Sequence, residues 1–410
     1  MHLSISKRFE FSSSHRSFVR GWTEAQNQAF FGREALSPNG HGHNYVASFA
    51  FNGPVDPKTG MMINVVIIKE KIKEVIDNRY DHRYLNDDVP AFQDIVPTAE
   101  NVTVSLLRDV VPLFNDVTAQ PSVCHLAESP ASEATAYAGG EVERHLWMNF
   151  SAARRTCSPH LTDAQNEELF GRAASTSGHG HHYRLRVTLQ GQVDGVHGMI
   201  FPEREAREIL SELHHQLDHR NLSTDVPQLR DMPMTTEMLS LYFFDYLKTR
   251  MPVSRVKLYE NDEFFAEYLG SNRWFMAYTG EFHAAHRLHC RELTEAENLS
   301  VYGKCNNPRG HGHLYRVECS IEGSADRESG VLYKLDDLIR SINTQLDDWN
   351  YKHLDLDTSD FTDKTTTGEN ILMVLWSKLE VSLGNRLSRL RLWETPNNRF
   401  SLRRGIDDRT

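Results

Sequence analysis

The segment HGHLYRVECSI, at His311–Ile321, contains the two features that decide the fold. From Tyr315 onward its apolar and polar residues alternate, which is typical of a half-buried antiparallel strand. Its opening tripeptide, His-Gly-His, occurs twice more in the chain, at His41–His43 and at His179–His181. The spacings are 138 residues (179 − 41) and 132 residues (311 − 179). Repeats of this length greatly exceed the ~20–50 residues of solenoid repeats, so each unit has the size of a domain.

Four more landmarks recur in the same order, three of them in every copy. They are the Phe-…-Arg segments at Phe11–Arg16, Phe150–Arg155 and Phe282–Arg287, Asp-His-Arg at Asp81–Arg83 and Asp218–Arg220, the Thr-x-Glu segments at Thr98–Asn101, Thr235–Met238 and Thr367–Asn370, and Leu-x-Glu at Leu126–Glu128, Leu258–Glu260 and Leu392–Glu394. This order predicts three tandem units, at residues 1–140, 141–271 and 272–410. Within each unit, the hydrophobic periodicity predicts two strands, two helices and two further strands.

Composition excludes several classes of protein. The formal net charge is −11, whereas a sequence-independent nucleic-acid binder needs a basic face. No apolar run is long enough to cross a bilayer, and the first residues lack the apolar core of a signal peptide. The five cysteines have no paired spacing, which argues against a disulfide framework. We therefore expect a cytoplasmic protein with neither nucleic acid nor a membrane as a partner.

The histidines of the third unit form a candidate metal site. Side chains two residues apart on a strand share one face, so His311 and His313 can bind one ion. His286, from the preceding strand, supplies a third imidazole. Three protein nitrogens with one open position are typical of catalytic zinc. The first unit has the same set, which consists of His15, His41 and His43.

The second unit departs from this pattern. Arg154 stands where the other two units have the upstream histidine. A guanidinium cannot coordinate a cation and repels it. We therefore expect no zinc at His179 and His181, and about two zinc ions per chain.

The segment YGKCNNPRGHGH, at Tyr302–His313, closely resembles the motif of animal-type 6-pyruvoyl-tetrahydropterin synthases. The chain as a whole is similar to three copies of a protein of that family. The related 6-carboxy-tetrahydropterin synthases place their cysteine closer to the His-Gly-His. The five residues between Cys305 and His311 therefore favour the first subfamily.

The resemblance implies an α+β protein built from tunnelling-fold (T-fold) units, each a four-stranded antiparallel sheet with two helices. Three such units close into a twelve-stranded barrel, and two barrels stack. For this chain, the family architecture implies a pseudo-trimer that forms a homodimer.

The resemblance also implies a zinc-dependent carbon–oxygen lyase acting on phosphates. It converts 7,8-dihydroneopterin triphosphate, a small-molecule pterin, to 6-pyruvoyl-tetrahydropterin and releases triphosphate. By this resemblance, Zn²⁺ binds the substrate side chain, Cys305 moves protons, Glu394 anchors the pterin ring and Thr367 lies beside it. The counterparts in the other units are Glu128, Glu260, Thr98 and Thr235.

The three copies are not equal. Counting back from the His-Gly-His puts Ala35 in the first unit and Ala173 in the second where the third has Cys305, with Glu34 as a neighbour of Ala35. The family's Asp-His pair survives as Asp81-His82 and Asp218-His219. In the third unit Asp348 takes the histidine position, unless a shift puts His353 there. These losses are complementary. They predict one composite catalytic site per chain, in which the zinc and cysteine of the third unit meet the Asp-His pair of the first or the second unit across a seam of the pseudo-trimer.

Two alternatives remain beside this lyase. One is a 6-carboxy-tetrahydropterin synthase-like enzyme of deazapurine synthesis, and the other is a non-catalytic pterin-binding protein. The intact Cys305 motif favours an enzyme, because a binding protein has no need of a thiol beside an open zinc. The two altered units favour the binding protein.

Overall fold

The computed structural model describes residues 1–405, in which twelve long strands form one closed antiparallel barrel. The barrel strands of the first unit are β1 (His2–His15), β2 (His41–Asn52), β4 (Gln120–Ser129) and β5 (Ser132–Tyr137). Those of the second are β6 (Val142–Arg154), β7 (His179–Gln190), β9 (Val253–Tyr259) and β10 (Phe264–Tyr268). Those of the third are β11 (Trp274–His286), β12 (His311–Gly323), β14 (Leu387–Thr395) and β15 (Asn398–Arg403).

Three strands of two residues each lie beside the barrel. They are β3 (Arg83–Tyr84), β8 (Arg220–Asn221) and β13 (Lys352–His353), which pair in parallel with β1, β6 and β11. The α-helices are α1 (Glu24–Phe31), α2 (Val65–Val75), α3 (Leu85–Asp88), α4 (Ala99–Val110), α5 (Asp163–Phe170), α6 (Glu203–Leu217), α7 (Thr236–Lys248), α8 (Glu295–Tyr302), α9 (Leu335–Asp347), α10 (Leu354–Asp357) and α11 (Gly368–Leu383). In the described part of the chain, none of these helices has the length and apolar character needed to span a bilayer.

Three pairings between units close the barrel. Strand β5 pairs with β6, β10 pairs with β11, and β15 pairs with β1. We call these boundaries the first seam (units one and two), the second seam (units two and three) and the third seam (units three and one). The prediction of three T-fold units in a twelve-stranded barrel is confirmed. Closure leaves no unpaired edge on the barrel strands, which removes a risk of aggregation.

Alternation along each strand separates the apolar core from the barrel interior. On β12, Tyr315, Val317 and Cys319 are buried against the outer helices, and Leu338 of α9 packs in the same core. The residues between them face the interior, where charged side chains form buried ion pairs. Glu318 accepts from Arg389 there at 3.0 Å. The period of two therefore builds a dry outer core and a charged interior from the same strands.

A threonine cap fastens each seam. The hydroxyls of Thr98, Thr235 and Thr367 cap α4, α7 and α11 by accepting from the backbone N–H three residues later. Each hydroxyl also donates to a glycine carbonyl of the next unit, at 2.5 Å to Gly198, 2.7 Å to Gly330 and 2.7 Å to Gly60. The same residue thus starts a helix and joins two units.

Candidate active sites at the three seams

Each unit places its candidate ligands at the open end of one strand pair. The His-Gly-His begins β2, β7 or β12, and the upstream residue ends β1, β6 or β11. Antiparallel pairing sets His15 opposite His41, and His286 opposite His311. Because side chains two apart share a face, the second histidine of each tripeptide joins the same cluster. The structure therefore brings together both predicted histidine triads.

The triad of the third unit has the geometry of a metal site. His286 Nε2 lies 3.2 Å from His311 Nε2, and with His313 all three ligand atoms lie within 4.8 Å of one another. Two ligands about 2.0–2.1 Å from a tetrahedral ion are roughly 3.3 Å apart. His286 Nδ1 donates to the Thr366 carbonyl at 2.9 Å, which directs the Nε2 lone pair into the cluster.

Burial keeps these imidazoles neutral, as metal binding requires. Desolvation lowers the pKa of His286 to about 3 and that of His313 to about 4, and the neighbouring histidines add to the effect. In the first unit, desolvation and the nearby His41 and His43 lower the pKa of His15 to about 3. His41 is the exception, because its hydrogen bond with Glu34 raises its pKa, and a metal ion would displace the proton between them. The donor sets of both units fit a divalent metal ion such as zinc.

Cys305 lies beside the third-unit triad and is not part of it. It sits in the 3₁₀ turn Gly303–Asn306, and its carbonyl accepts from Leu288 N at 3.0 Å just beyond the end of β11. Burial, followed by the charge of Glu394, raises the pKa of the thiol. Its sulfur is outside the group of ligand atoms that lie within 4.8 Å of one another in residues 1–405. A cation bound by the triad would lower this thiol pKa.

The Leu-x-Glu glutamates lie against the histidines. Glu394 Oε1 is 3.7 Å from His286 Nε2 and 3.9 Å from His313 Nε2. The first unit repeats this arrangement, with Glu128 Oε1 3.8 Å from His15 Nε2. Burial raises the pKa of Glu394, and it raises that of Glu128 to about 7. These carboxylates therefore adjoin the candidate metal position.

A second set of glutamates, which the sequence analysis did not select, lies at the seams. Glu369 is 2% exposed, and its Oε1 accepts from Met62 N of the first unit at 2.9 Å. Burial raises its pKa to about 7. Glu100 and Glu237 occupy the equivalent places at the other two seams. The sequence contains a pattern that could have identified these glutamates, because glutamate recurs in all three Thr-x-Glu segments.

The structure corrects the residue assigned to the cysteine position in the first unit. The carbonyls of Glu34, Ala173 and Cys305 make the same backbone hydrogen bond, accepting from Ser17, Thr156 and Leu288 respectively. Glu34 is therefore the counterpart of Cys305, and the assignment of Ala35 was wrong. The loop from Gly32 to Gly40 is one residue longer than that from Gly303 to Gly310, so counting back from the tripeptide shifts the alignment.

The structure also corrects the position assigned to Asp348. Asp81, Asp218 and Asn350 each accept from a strand N–H at 2.8–2.9 Å through a side-chain oxygen. The next residue has a positive φ in all three units: 56° at His82, 57° at His219 and 58° at Tyr351. Asn350 and Tyr351 therefore replace the Asp-His pair in the third unit, and Asp348 precedes this segment.

The two remaining Asp-His pairs are intact and exposed. His82 Nδ1 lies 2.8 Å from Asp81 Oδ2, and His219 Nδ1 lies 2.7 Å from Asp218 Oδ2. The two imidazoles are 83% and 82% exposed. Within residues 1–405, neither pair forms a hydrogen bond or ion pair with the triad or Cys305 of the third unit. Both lie at the barrel end that carries the histidine clusters, because β3 and β8 pair near the ends of β1 and β6.

The first unit forms the opposite wall of the third-unit site. Besides the contacts of Thr367 and Glu369, Tyr302 Oη donates to the Thr59 carbonyl at 2.8 Å. Asn64 Nδ2 donates to the Val301 carbonyl at 3.0 Å. The site that contains Cys305 is therefore completed at the third seam.

Arg154 occupies the ligand position in the second unit. Its Nη2 donates to Glu260 at 2.5 Å and to Thr236 Oγ1 at 2.9 Å. Although burial opposes ionisation, Arg154 and the bonds from His181 and Thr236 hold the pKa of Glu260 far below its usual range. His179, His181 and Glu260 lie close enough to bind an ion, but the guanidinium already pairs with that carboxylate. A cavity of about 160 Å³ adjoins this pair.

The closed barrel of three T-fold units, with histidine triads that could hold a metal ion in two of them, defines the class of T-fold proteins. The family model "6-pyruvoyl tetrahydropterin synthase" matches residues 4–138, 145–271 and 276–405. The chain belongs to the 6-pyruvoyl tetrahydropterin synthase family, as three units in tandem.

Individual relatives each align with about one unit. The 6-pyruvoyl tetrahydrobiopterin synthase of Pongo abelii is 39% identical over 127 residues, which are 30% of this chain and 88% of that protein. A 6-carboxy-5,6,7,8-tetrahydropterin synthase of Rickettsia conorii is 30% identical over 27% of this chain and 81% of its own length. The structure of Caenorhabditis elegans 6-pyruvoyl tetrahydropterin synthase is 35% identical, with a TM-score of 0.32, and covers 32% of this chain and 96% of that one.

Proposed function

We propose that the chain is a zinc-dependent 6-pyruvoyl-tetrahydropterin synthase, with its working site in the third unit at the third seam. Its substrate is 7,8-dihydroneopterin triphosphate, and its products are 6-pyruvoyl-tetrahydropterin and triphosphate. The observation that carries the proposal is the convergence of three neutral imidazoles with Cys305 and Glu394. In residues 1–405, only the third unit combines such a triad with a cysteine at this position.

His286, His311 and His313 would hold the metal. When bound, a divalent ion acidifies a coordinated hydroxyl and stabilises negative charge on oxygen. The hydrogen bond from His286 to the Thr366 carbonyl fixes one imidazole before the metal arrives. This preorganisation reduces the cost of assembling the site.

Glu394 is the proposed anchor for the pterin ring, and Glu369 is a second candidate for that role. A carboxylate binds the amino and ring N–H groups of a pterin by accepting two parallel hydrogen bonds. Glu369 is buried at the seam, with one oxygen fixed by Met62 N. Glu394 lies beside the imidazoles, where it can hold or release a proton next to the bound side chain. The ring then lies between the two carboxylates.

Thr367 positions this site and lies beside the proposed ring position. Its hydroxyl accepts from Asn370 N at 3.3 Å and donates to the Gly60 carbonyl at 2.7 Å. The single hydroxyl proton of Thr367 is therefore already donated to the Gly60 carbonyl. Thr98 and Thr235 have the same pair of bonds at their seams.

Cys305 and an Asp-His pair move the protons. The thiol becomes a base when a nearby cation lowers its pKa toward neutrality. The pairs Asp81-His82 and Asp218-His219 are exposed at the same end of the barrel. A second chain stacked on this end would bring one of them to the third-unit site, so the homodimer completes the composite site.

The decisive experiment measures triphosphate release from 7,8-dihydroneopterin triphosphate by the zinc-loaded full chain. Cys305→Ala should lower kcat by about 10²-fold or more, the usual contribution of general acid–base catalysis. Cys157→Ala is the matched control, because that half-buried thiol belongs to the second unit, which has no complete histidine triad. Unchanged turnover in Cys305→Ala would refute the proposal. Mass analysis of the pterin product separates a 6-pyruvoyl from a 6-carboxy product.

A further inference from the structure

We propose that the first unit holds a closed structural metal centre, in which Glu34 is the fourth ligand and Arg144 fills the recess where a substrate ring would bind. The chain would then contain two different metal sites, a closed one at the first seam and an open one at the third. This inference needs metal binding by the first-unit triad. It does not need lyase activity in the third unit.

The four candidate ligands of this centre already converge. Glu34 Oε2 lies 2.8 Å from His41 Nε2 and 3.9 Å from His15 Nε2. With His43, one ligand atom from each residue lies within 4.8 Å of all the others. The Nε2 atoms of His15 and His43 have no hydrogen-bond partner, and that of His41 faces the Glu34 carboxylate. Three nitrogens and one carboxylate oxygen would supply four protein ligands and leave no open position, as in a structural zinc site.

The side chain at the cysteine position explains the difference between the two centres. Glu34 takes the backbone place of Cys305, as their hydrogen bonds to Ser17 and Leu288 show. A glutamate side chain is two heavy atoms longer than that of cysteine, so its carboxylate reaches the triad. The sulfur of Cys305 remains outside the third-unit cluster. The same position therefore closes one centre and leaves the other open.

Arg144 blocks the recess next to the first-unit triad. It is 4% exposed and belongs to the second unit. Its Nε lies 3.8 Å from Glu100 Oε2, and its Nη2 lies 3.9 Å from Glu128 Oε2. The same Nη2 donates to Ser132 Oγ at 2.6 Å. The guanidinium thus lies between the two carboxylates whose third-unit counterparts flank the proposed ring position.

A second charge holds the guanidinium in place. Glu203, the first residue of α6, forms an ion pair with Arg144. Burial opposes the charged form of Arg144, but Glu203, Glu100 and Glu128 together raise its pKa well above the usual range. Arg144 is buried while the Glu203 side chain is 25% exposed, so removing Glu203 would leave a buried charge less well paired, which is costly. Arg144 is therefore a permanent part of the first seam.

The other seams have apolar residues at both positions. In the strand pairing across each seam, Arg144 is opposite Ala134, Met276 is opposite Ala266, and Ile5 is opposite Phe400. The helices equivalent to α6 begin at Leu335 and Val65 instead of Glu203. At the second seam, Met276 and Leu335 line the 160 Å³ cavity. The charged pair is specific to the first seam.

Cobalt substitution tests the closed centre without an activity assay. His311→Ala/His313→Ala removes the third-unit centre from the full chain, so that Co²⁺ reports on the first unit. We expect visible spectra that do not change on addition of azide, because no coordination position is open. Glu34→Ala should make the spectrum sensitive to azide and speed Co²⁺ release to a chelator by about 10-fold or more.

Glu70→Ala, on the exposed face of α2, is the control for this series. Azide-sensitive spectra before the Glu34 substitution would overturn the closed centre. An unchanged rate of Co²⁺ release to the chelator in Glu34→Ala would also overturn it. That result is expected if Glu34 acts as a base and does not bind the metal. If the double histidine variant fails to fold, the test uses the chain without those two substitutions. That chain should release Co²⁺ in a fast and a slow phase, and Glu34→Ala should abolish only the slow phase. A single phase would overturn the inference.

The block by Arg144 has its own test. Arg144→Met/Glu203→Leu installs the residues of the second seam at the first, and melting curves check that it folds. Neopterin fluorescence titration of the full chain should show one additional binding event per chain in this variant. An unchanged number of events would overturn the block. Failure of the proposed lyase function would appear separately, as absent triphosphate release with these metal and binding results unchanged.

Discussion

Arg154 donates to Glu260 at 2.5 Å in the second unit, at the position where His286 of the third unit lies 3.7 Å from Glu394. The two units thus use the same backbone position for opposite purposes. An arginine neutralises the strand glutamate in one unit, whereas a neutral imidazole leaves it beside a candidate metal site in the other. The seams of this barrel are alike in backbone and different in charge.

Metal content should follow this substitution. Arg154→His restores the triad with His179 and His181 and releases Glu260 from its ion pair. Bound zinc should rise from about two to about three ions per chain, measured by atomic emission after dialysis. Arg155→His is the matched control, because the neighbouring arginine points to Asp163. Three ions in the unsubstituted chain would contradict our interpretation of Arg154.

Glu369 should make stability depend on pH. Its pKa is about 7 in the folded chain and about 4.5 in a free side chain. The stabilisation is therefore complete below about pH 4.5 and is lost as the pH rises through about 7. Relative to Glu369→Gln, the free energy of unfolding should fall by up to about 3 kcal/mol over this range. Urea unfolding at pH 5 and pH 8 measures it, with Glu297→Gln as an exposed control.

The threonine at the third seam should contribute to both stability and catalysis. Thr367→Val removes the cap of α11 and the hydrogen bond to the Gly60 carbonyl, at a cost of about 1–3 kcal/mol. Thr367→Ser keeps both bonds and should behave like the parent chain. Thermal unfolding and triphosphate release measure the two effects. Equal melting temperatures for the valine and serine variants would show that the seam bond contributes nothing.

One Asp-His pair should be needed for turnover. We expect one of the two single variants, His82→Ala or His219→Ala, to lower kcat by about 10²-fold and the other to leave it unchanged. The reason is that only one pair can meet a given third-unit site. Triphosphate release measures this effect, and the melting temperature should remain unchanged because both imidazoles are exposed. Arg83→Ala and Arg220→Ala serve as neighbouring controls. If neither histidine matters, the composite site is wrong.

Local chemistry explains why several features were predictable. The histidine triads follow from the period of two on a strand and from antiparallel pairing of neighbouring strands, as His15 opposite His41 illustrates. The loss of the third histidine ligand in the second unit follows from a single residue, Arg154. Counting residues failed where loop lengths differ, which is why Glu34 was missed as the counterpart of Cys305. It failed again at Asn350, whose equivalence rests on a hydrogen bond to His283.

The sequence by itself determined three T-fold units, their two complete histidine triads and the single intact cysteine motif, because each depends on residues close together in one unit. Only the tertiary structure decided which unit completes each site. Barrel closure joins β15 to β1, and so brings Glu369 to Met62 across 307 residues of chain. It likewise places Arg144 between Glu100 and Glu128. Contacts across a closed barrel depend on strand order and register around the whole ring, which no local pattern records.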